Sequence, residues 1–260
     1  MLTFMTNAMI GVILISVASA MIGSYIVTRR MVFISGGITH ACFGGLGLGY
    51  YLGISPMLMA TLFAIGGSLG VERLSHGGVR RDSAIAVIWA LGMALGILFI
   101  FLTHGYVPEL NTFLFGNVLI ISRSDLWGFG ILTFGLLLFY RAFYPLIVSV
   151  SFDQDFARTR NLPVGFINVA MTVLVAITIV LTIKMIGIML LMSLVSLPQM
   201  VAERFSRGYM QLMLVSTGVS LAGCVGGLWG AYFISVPASA AIVLLLVAMY
   251  ALSALFTHKS

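Results

Sequence analysis

Long apolar runs separated by short polar turns extend from one end of the chain to the other. About nine of these runs are predicted to be membrane-spanning helices, at residues 9–28, 31–53, 56–72, 84–103, 126–145, 165–183, 186–203, 210–234 and 237–256. Each is about long enough to cross a hydrocarbon core of roughly 30 Å. A shorter apolar stretch at 113–121 is a candidate half-helix that enters the membrane without crossing it. The pattern predicts an all-α polytopic membrane protein with one transmembrane domain over residues 1–260.

Composition supports this architecture. Of the 260 residues, 61% are hydrophobic and 8% are charged, whereas a soluble domain averages about 45–50% and about 25%. The few charges cannot cover a water-soluble globule, which argues against a soluble enzyme. The net charge of +6 does not indicate nucleic-acid binding, because the basic residues lie singly or in pairs at the ends of apolar runs. Cys42 and Cys224 lie inside such runs, so neither a disulfide framework nor a cysteine metal site is predicted.

The basic residues also predict the orientation in the membrane. If Arg29 and Arg30 lie in the cytoplasm and nine spans alternate, only Arg123 and Lys184 of the 13 lysines and arginines fall outside. This positive-inside bias predicts an external N-terminus and a cytoplasmic C-terminus, and therefore an odd number of spans. Eight spans would require one segment to be re-entrant.

The second apolar segment carries the most distinctive polar group. One face of its predicted helix combines small residues with a histidine, namely Gly36, His40, Gly44 and Gly47. The glycines allow a neighbouring helix to approach closely. An ionisable group at membrane depth normally points into the bundle or a wet cavity, so His40 is either on a transport path or a structural histidine bonded across helices. A neutral imidazole would suit a cation such as Zn²⁺ or Mn²⁺. Further candidate donors at this depth are Thr39, Asn168 and Gln199.

No carboxylate lies near the middle of a predicted span. Cation-coupled carriers commonly use such buried carboxylates, and neither an HExxH zinc motif nor a GxxxxGK[ST] phosphate loop occurs in the sequence. We therefore expect a transport protein that is not an enzyme and takes its energy from a partner. A secondary carrier or channel for a small solute is the alternative. An intramembrane enzyme using His40 with Ser35 or Thr39 is less well supported, because no carboxylate would orient the imidazole.

A cytoplasmic loop at residues 149–164 is predicted to contain a short helix. Residues suited to its start, its first turn, its last turn and its end follow in order, namely Ser151 or Asp153, Asp155, Arg158 and Pro163. Phe152 and Phe156, four residues apart, would place two aromatic rings on one side of this helix. These rings either fill a groove on a partner protein or rest on lipid headgroups.

Four stretches of the chain, taken together, resemble the integral-membrane permease subunit of bacterial zinc, manganese and iron ABC importers, the ABC-3 family. They are residues 29–31 with 35–41, 114–119, 151–157, and 186–191 with 197–202. They occur in the order found in the family and extend over nearly the whole chain. Three positions depart from its pattern: Gly36 stands where many members have aspartate, Gln199 where a small residue is usual, and Asn117 where aspartate is frequent. The first departure argues against a tight two-residue metal site in each subunit.

The resemblance implies a permease of eight or nine helices, similar to vitamin B12 importer permeases, in the bacterial inner membrane. It implies a homodimer or a pair with a paralogous subunit, a cytoplasmic ABC ATPase dimer and an extracytoplasmic metal-binding protein as partners, in contact with membrane lipid. Zn²⁺, Mn²⁺ or Fe²⁺ would be cargo, with no permanently bound cofactor. The short cytoplasmic helix becomes the coupling helix that contacts the ATPase, through Phe152, Asp153, Asp155, Phe156, Ala157 and Arg158. The metal-binding protein is expected to dock over outer loops around Glu109 and Asp125, and the metal path to include His40, Thr39 and Gln199.

Overall fold

The computed structural model describes residues 2–103 and 121–257, and all regular secondary structure in these ranges is helical. The helices are α1 (Leu2–Thr28), α2 (Ile34–Leu52), α3 (Pro56–His76), α4 (Arg81–Leu102), α5 (Arg123–Phe152), α6 (Gln154–Thr159), α7 (Val164–Ile186), α8 (Ile188–Glu203), α9 (Tyr209–Ile234) and α10 (Ala238–Thr257). The prediction of an all-α chain is confirmed, and each of the nine predicted spans overlaps one helix. Glu109 and residues 113–120 of the candidate half-helix lie outside the described residues.

Seven of the described helices are long and apolar enough to cross a membrane, namely α1, α3, α4, α5, α7, α9 and α10. The other two that overlap predicted spans fall short for different reasons. Helix α2 is rich in glycine and contains His40, and α8 has only 16 residues. Nine crossings therefore stay a prediction.

The helices form two compact units. The first, here called the α1 unit, contains α1, α5, α8, α9, α10 and the last turn of α7. Within it, α1 packs against α5, α8 and α9, and α10 packs against α8 and α9. The second, called the α2 unit, contains α2, α3, α4, α6 and most of α7, and α2 packs against both α3 and α4. The single domain expected over residues 1–260 stays a prediction.

Helices α2 and α4 pack backbone against backbone. A Cβ atom added to Gly47 would lie 2.6 Å from the carbonyl oxygen of Gly96, and one added to Gly44 would lie 3.0 Å from that of Gly92. Spaces this small accept no side chain, so the glycines are what bring the two helices together. This contact fixes the register of α2 on α4 and thereby the position of His40.

Candidate functional site

The side chain of His40 lies against α4. Its imidazole stacks on the indole ring of Trp89, with the ring centroids 4.4 Å apart and the planes inclined by 20°. Its Nδ1 atom lies 2.9 Å from the Sδ atom of Met93. Trp89 and Met93 are four residues apart and so lie on one side of α4. The imidazole is only half-buried, so part of the ring is accessible from outside the chain.

The small residues around His40 bring the α4 side chains within its reach. Gly92 lies against the backbone of His40 so closely that an added Cβ would overlap the His40 carbonyl group. Gly44 and Gly47 continue the same contact along α2. Gly36 is buried one turn before His40. The face described by Gly36, His40, Gly44 and Gly47 is thus buried except for the half-buried imidazole.

Thr39 does not share the open position of its neighbour His40. Its side chain is fully buried, and its hydroxyl donates to the carbonyl oxygen of Ser35 at 2.7 Å. A hydroxyl that bonds back to the preceding turn of its own helix is satisfied without any ligand. The geometry therefore assigns Thr39 a local, structural hydrogen bond.

Gln199 lies in the interior of the α1 unit, with no exposed surface. Its Nε2 atom donates to the carbonyl oxygen of Ser19 on α1 at 3.0 Å and to that of Leu194 at 3.2 Å. The second bond compensates for Pro198, which interrupts α8 and has no N–H to offer the carbonyl of Leu194 four residues earlier. Gln199 thus replaces the hydrogen bond that Pro198 cannot make within α8, and it also links α8 to α1. Both contacts are structural.

The space that holds Gln199 is created by Gly23 on α1. An added Cβ there would collide with the Gln199 amide group and would lie 2.7 Å from the carbonyl oxygen of Val195. The signal that sequence reasoning missed is the order of residues in α8, where a glutamine directly follows a proline. A long amide side chain next to a proline inside a helix can replace the lost backbone donor.

The short helix predicted within residues 149–164 is present, and Asp153 is the one of its two predicted start residues that is used. Asp153 has an extended backbone, with φ −147° and ψ 102°, and its side chain accepts a hydrogen bond from the backbone N–H of Phe156 at 2.9 Å. Asp153 is therefore the N-cap of α6, and Phe152 is the last residue of α5. This corrects the expectation that Phe152 and Phe156 share one helix face, because their four-residue spacing is not helical.

Helix α6 presents an aromatic ring and two charges to its surroundings. The side chain of Phe156 is 52% exposed, and the guanidinium of Arg160 lies 5.3 Å from its ring centroid. Asp155 and Arg158 form an exposed ion pair at 3.5 Å. Ala157 is fully buried and fixes the inner side of the helix. Among these residues, only Ala157 is unable to contact a partner with its side chain.

Helix α6 is fastened to α7 by a hydrogen bond between two amide side chains. The Nε2 atom of Gln154 donates to the Oδ1 atom of Asn168 at 3.0 Å. Asn168 is only 3% exposed, so this bond reaches from the surface helix into the packed part of α7. Asn168, a candidate donor at membrane depth, thus has a partner in the short helix α6.

Asp125 lies in the first turn of α5 and has partners within the chain. Its carboxylate accepts hydrogen bonds from Lys184 at the end of α7 and from the hydroxyl and backbone N–H of Ser122. The same contact with Lys184 is an ion pair that joins the two helix ends. Any docking protein would therefore meet an already paired carboxylate at this position.

A complete metal-binding cluster is absent from residues 2–103 and 121–257. No group of three or more histidine, cysteine, aspartate or glutamate side chains is close enough there to hold one ion. The described site therefore consists of one imidazole with its aromatic and thioether neighbours. Such a site can bind a cation only partly, with water or further donors completing the coordination.

Comparison with known proteins places these features in context. Residues 1–257 match the model of the ABC 3 transport family. The chain is 35% identical over 238 residues to a Chlamydia pneumoniae protein named "probable metal transport system membrane protein", covering 89% of this chain and 81% of that protein. It is 28% identical over 259 residues to the manganese transport system membrane protein MntC of Halalkalibacterium halodurans, covering 99% and 88%.

A solved structure shares the fold. PsaBC from Streptococcus pneumoniae, determined in complex with a Fab, superposes with a TM-score of 0.84 at 24% sequence identity. The similarity covers 96% of this chain and 90% of that chain. This chain therefore has the fold of that solved structure.

Proposed function

The chain belongs to the ABC 3 transport family, and from that premise we propose that it is the membrane-spanning permease subunit of an ATP-driven importer of a divalent transition metal. The names of its relatives support a metal as cargo. The absence of a phosphate loop from the sequence supports an ATPase as a separate partner. In this proposal the chain forms the path for the ion and hydrolyses nothing itself.

The observation that carries the proposal is the construction of α6. A permease driven by a separate ATPase needs a surface element to which the ATPase can bind. That element must also be connected to the membrane helices. Phe156 supplies an exposed aromatic anchor, of the kind that dominates protein contacts, and Asp155 and Arg158 supply charges beside it. The bond from Gln154 to Asn168 connects α6 to α7. We propose that displacement of α6 by the ATPase is transmitted through this bond.

We place the cargo beside His40. Its imidazole is half-buried, and it contacts the side chains of Trp89 and Met93 rather than backbone groups. Thr39 and Gln199 contribute to the framework instead, because the hydroxyl and the amide N–H groups are bonded to backbone carbonyls. Weak coordination is suitable for a path, since an ion bound tightly midway would not leave.

The proposed orientation of the assembly follows from the distribution of charge. Eleven of the 13 lysines and arginines fall on one side if the chain crosses nine times with its N-terminus outside. That topology puts α6 in the cytoplasm, where an ATPase dimer would contact it. We propose a homodimer in the bacterial inner membrane, surrounded by lipid, that receives its ion from an extracytoplasmic metal-binding protein near Glu109 and Asp125.

The decisive experiment measures ATPase binding and metal uptake together. The change Phe156→Ala should reduce recovery of the cognate ATPase in a pull-down and reduce Zn²⁺ or Mn²⁺ uptake in the same proportion. The matched control is Phe134→Ala, which removes an equally large ring that is 63% exposed on the span α5 and should leave both unchanged. Full ATPase recovery and uptake with Phe156→Ala would contradict the proposed coupling role. Accumulation of the metal against its gradient by the chain reconstituted alone would support the secondary carrier.

A further inference from the structure

We propose that Nδ1 of His40 and Sδ of Met93 form a two-donor site for a borderline cation, which makes this permease favour Zn²⁺ over Mn²⁺. The inference rests on the proposed function, because it specifies the cargo of the same path. Its evidence is separate, however, since it depends on the chemistry of two side chains on α2 and α4.

The contact between the two atoms has two chemical forms. A thioether carries no proton, so the distance of 2.9 Å between Nδ1 and Sδ is a hydrogen bond only when the imidazole proton is on Nδ1. When the proton is on Nε2, lone pairs of nitrogen and sulfur face the same space. Both forms are neutral imidazole, so changing from one to the other requires no net proton. A cation placed between the two lone pairs converts their repulsion into coordination.

The dimensions of the site are close to those of a chelate. Zinc binds imidazole nitrogen at about 2.0–2.1 Å and thiolate sulfur at about 2.3 Å, and a neutral thioether binds less closely than a thiolate, so tetrahedral coordination would hold the two donors at least about 3.6 Å apart. Sδ of Met93 must therefore move away from Nδ1 by at least roughly 0.7 Å. A methionine side chain has three rotatable bonds and makes such an adjustment readily.

The surroundings hold the imidazole in position for this role. Trp89 stacks on one face of the ring at 4.4 Å, and the contact of Gly92 with the His40 backbone fixes the spacing of α2 and α4. His40 and Met93 are both half-buried, so an ion can reach them while keeping part of its water shell. Only the flexible methionine needs to move when the ion arrives.

The donor types favour zinc. Imidazole and thioether ligands suit Zn²⁺, whereas Mn²⁺ favours carboxylate, carbonyl and water oxygens. The described carboxylates of the α2 unit lie at helix ends or in the cytoplasmic loop: Glu72 pairs with Arg81 at 3.7 Å, and Asp82 is in the first turn of α4, about two turns before Trp89. Asp153 and Asp155 belong to the α6 region. None of the four supplies a hard oxygen on the α4 turn that holds Trp89 and Met93.

Trp89 provides a direct measurement of binding. The chain has three tryptophans, and Trp127 and Trp229 are 75% and 45% exposed, so a Trp127→Phe, Trp229→Phe background leaves Trp89 as the only indole. In this background, purified full-length protein in lipid nanodiscs is titrated with Zn²⁺ and with Mn²⁺ while the emission of Trp89 is recorded. We expect saturation with Zn²⁺ at a concentration at least about tenfold lower than with Mn²⁺.

Three substitutions at Met93 test the donor itself. Met93→Leu keeps similar bulk without a lone pair and should weaken Zn²⁺ binding by about tenfold while changing Mn²⁺ binding little. Met93→Cys should retain the preference for Zn²⁺, and Met93→Glu should shift it towards Mn²⁺. The matched control is Met210→Leu, on α9 and 45% exposed, which should bind Zn²⁺ like the parent protein.

Equal affinities for the two ions in the parent protein would overturn the inference. So would parental Zn²⁺ affinity in Met93→Leu; if that variant does not fold, a Met93→Glu variant that still prefers Zn²⁺ is equally decisive. These titrations require no ATPase, so they are independent of the pull-down with Phe156→Ala. Selective Zn²⁺ binding in a chain that recruits no ATPase would refute the proposed function and leave the site intact.

Discussion

His40 and Gln199 are both polar side chains at membrane depth, and the fold uses them in opposite ways. His40 contacts the side chains of Trp89 and Met93 and remains half-buried. Gln199 is fully buried and gives its N–H groups to two backbone carbonyls. The difference shows that residue type and depth do not define a transport site. A polar group can bind cargo when its donor and acceptor atoms are not already hydrogen-bonded to the backbone.

The two side chains nevertheless depend on the same packing device. Gly92 on α4 lies against the backbone at His40, and Gly23 on α1 lies against the amide of Gln199. In the first case backbone meets backbone, which brings two helices together and leaves the side chain at the edge of the contact. In the second case a glycine accommodates the side chain itself. Small residues therefore indicate close packing but not which neighbour occupies the space.

The largest expected effect is on uptake after loss of the imidazole. His40→Ala should reduce metal uptake by at least about tenfold, the lower range for loss of a group that supports metal binding. Folded protein and ATPase recovery should remain, because within residues 2–103 and 121–257 the polar contact of the ring is with the Met93 side chain and not with the backbone. The measurement is Zn²⁺ uptake per amount of folded protein, with Thr39→Val as the neighbouring control that should transport normally. Unchanged uptake in His40→Ala would make the histidine structural.

The next largest effect is on the packing beneath His40. Gly92→Ala should lower the free energy of unfolding by about 1–3 kcal/mol, the range for overpacking a well-filled interior, because its Cβ meets the backbone of His40 and Ala41. Thermal denaturation in detergent would measure this. Gly135→Ala on α5, where the added Cβ meets nothing within 4 Å, should be neutral or slightly stabilising. Equal stability of the two variants would contradict the backbone-to-backbone contact.

The variant Gln199→Leu tests most directly whether Gln199, unlike His40, has a purely structural role. The change leaves the carbonyls of Ser19 and Leu194 without their side-chain donor, and it also removes the buried Oε1 atom, which has no hydrogen-bond partner in the described part of the chain. We expect a loss of about 1–2 kcal/mol in the free energy of unfolding, with uptake per folded molecule unchanged. A stable variant that no longer transports would place Gln199 on the path after all.

The sequence predicted the helices well, because long apolar runs leave the backbone no alternative to intrahelical hydrogen bonds in lipid. Its boundaries failed where local chemistry decides them. The fifth span was expected to stop at Pro145, yet α5 kinks near Phe143 and continues to Phe152. Residues 146–152, which follow Pro145, are themselves largely apolar, and α5 ends only where the backbone of Asp153 becomes extended.

The candidate site was predictable only in part. The spacing of Gly44 and Gly47 from His40 indicated a close helix partner, but not that Trp89 and Met93 would be the side chains beside the imidazole. Those contacts depend on the register of α4 on α2, which is set by glycines on both helices. The cap at Asp153 was anticipated as an alternative to Ser151. Its consequence, the separation of Phe152 from α6, depends on the extended backbone at that residue.

The smallest expected effect concerns Asp125, which extends the comparison to a charged group at the membrane surface. Asp125→Asn removes the charge that pairs with Lys184, and an exposed ion pair contributes only about 0–1 kcal/mol to stability. The free energy of unfolding should therefore change little, and the change should shrink further as salt is raised.

The same variant tests docking. If the carboxylate of Asp125, like the amide of Gln199, is used only for contacts inside the chain, binding of the extracytoplasmic metal-binding protein should also stay within about twofold of the parent. Lys184→Met is the matched control, because it leaves the carboxylate in place but unpaired and should strengthen binding only if that carboxylate is a docking contact. A marked loss of binding in Asp125→Asn, measured by surface plasmon resonance on nanodiscs, would show that a carboxylate with a partner inside the chain can still contact another protein.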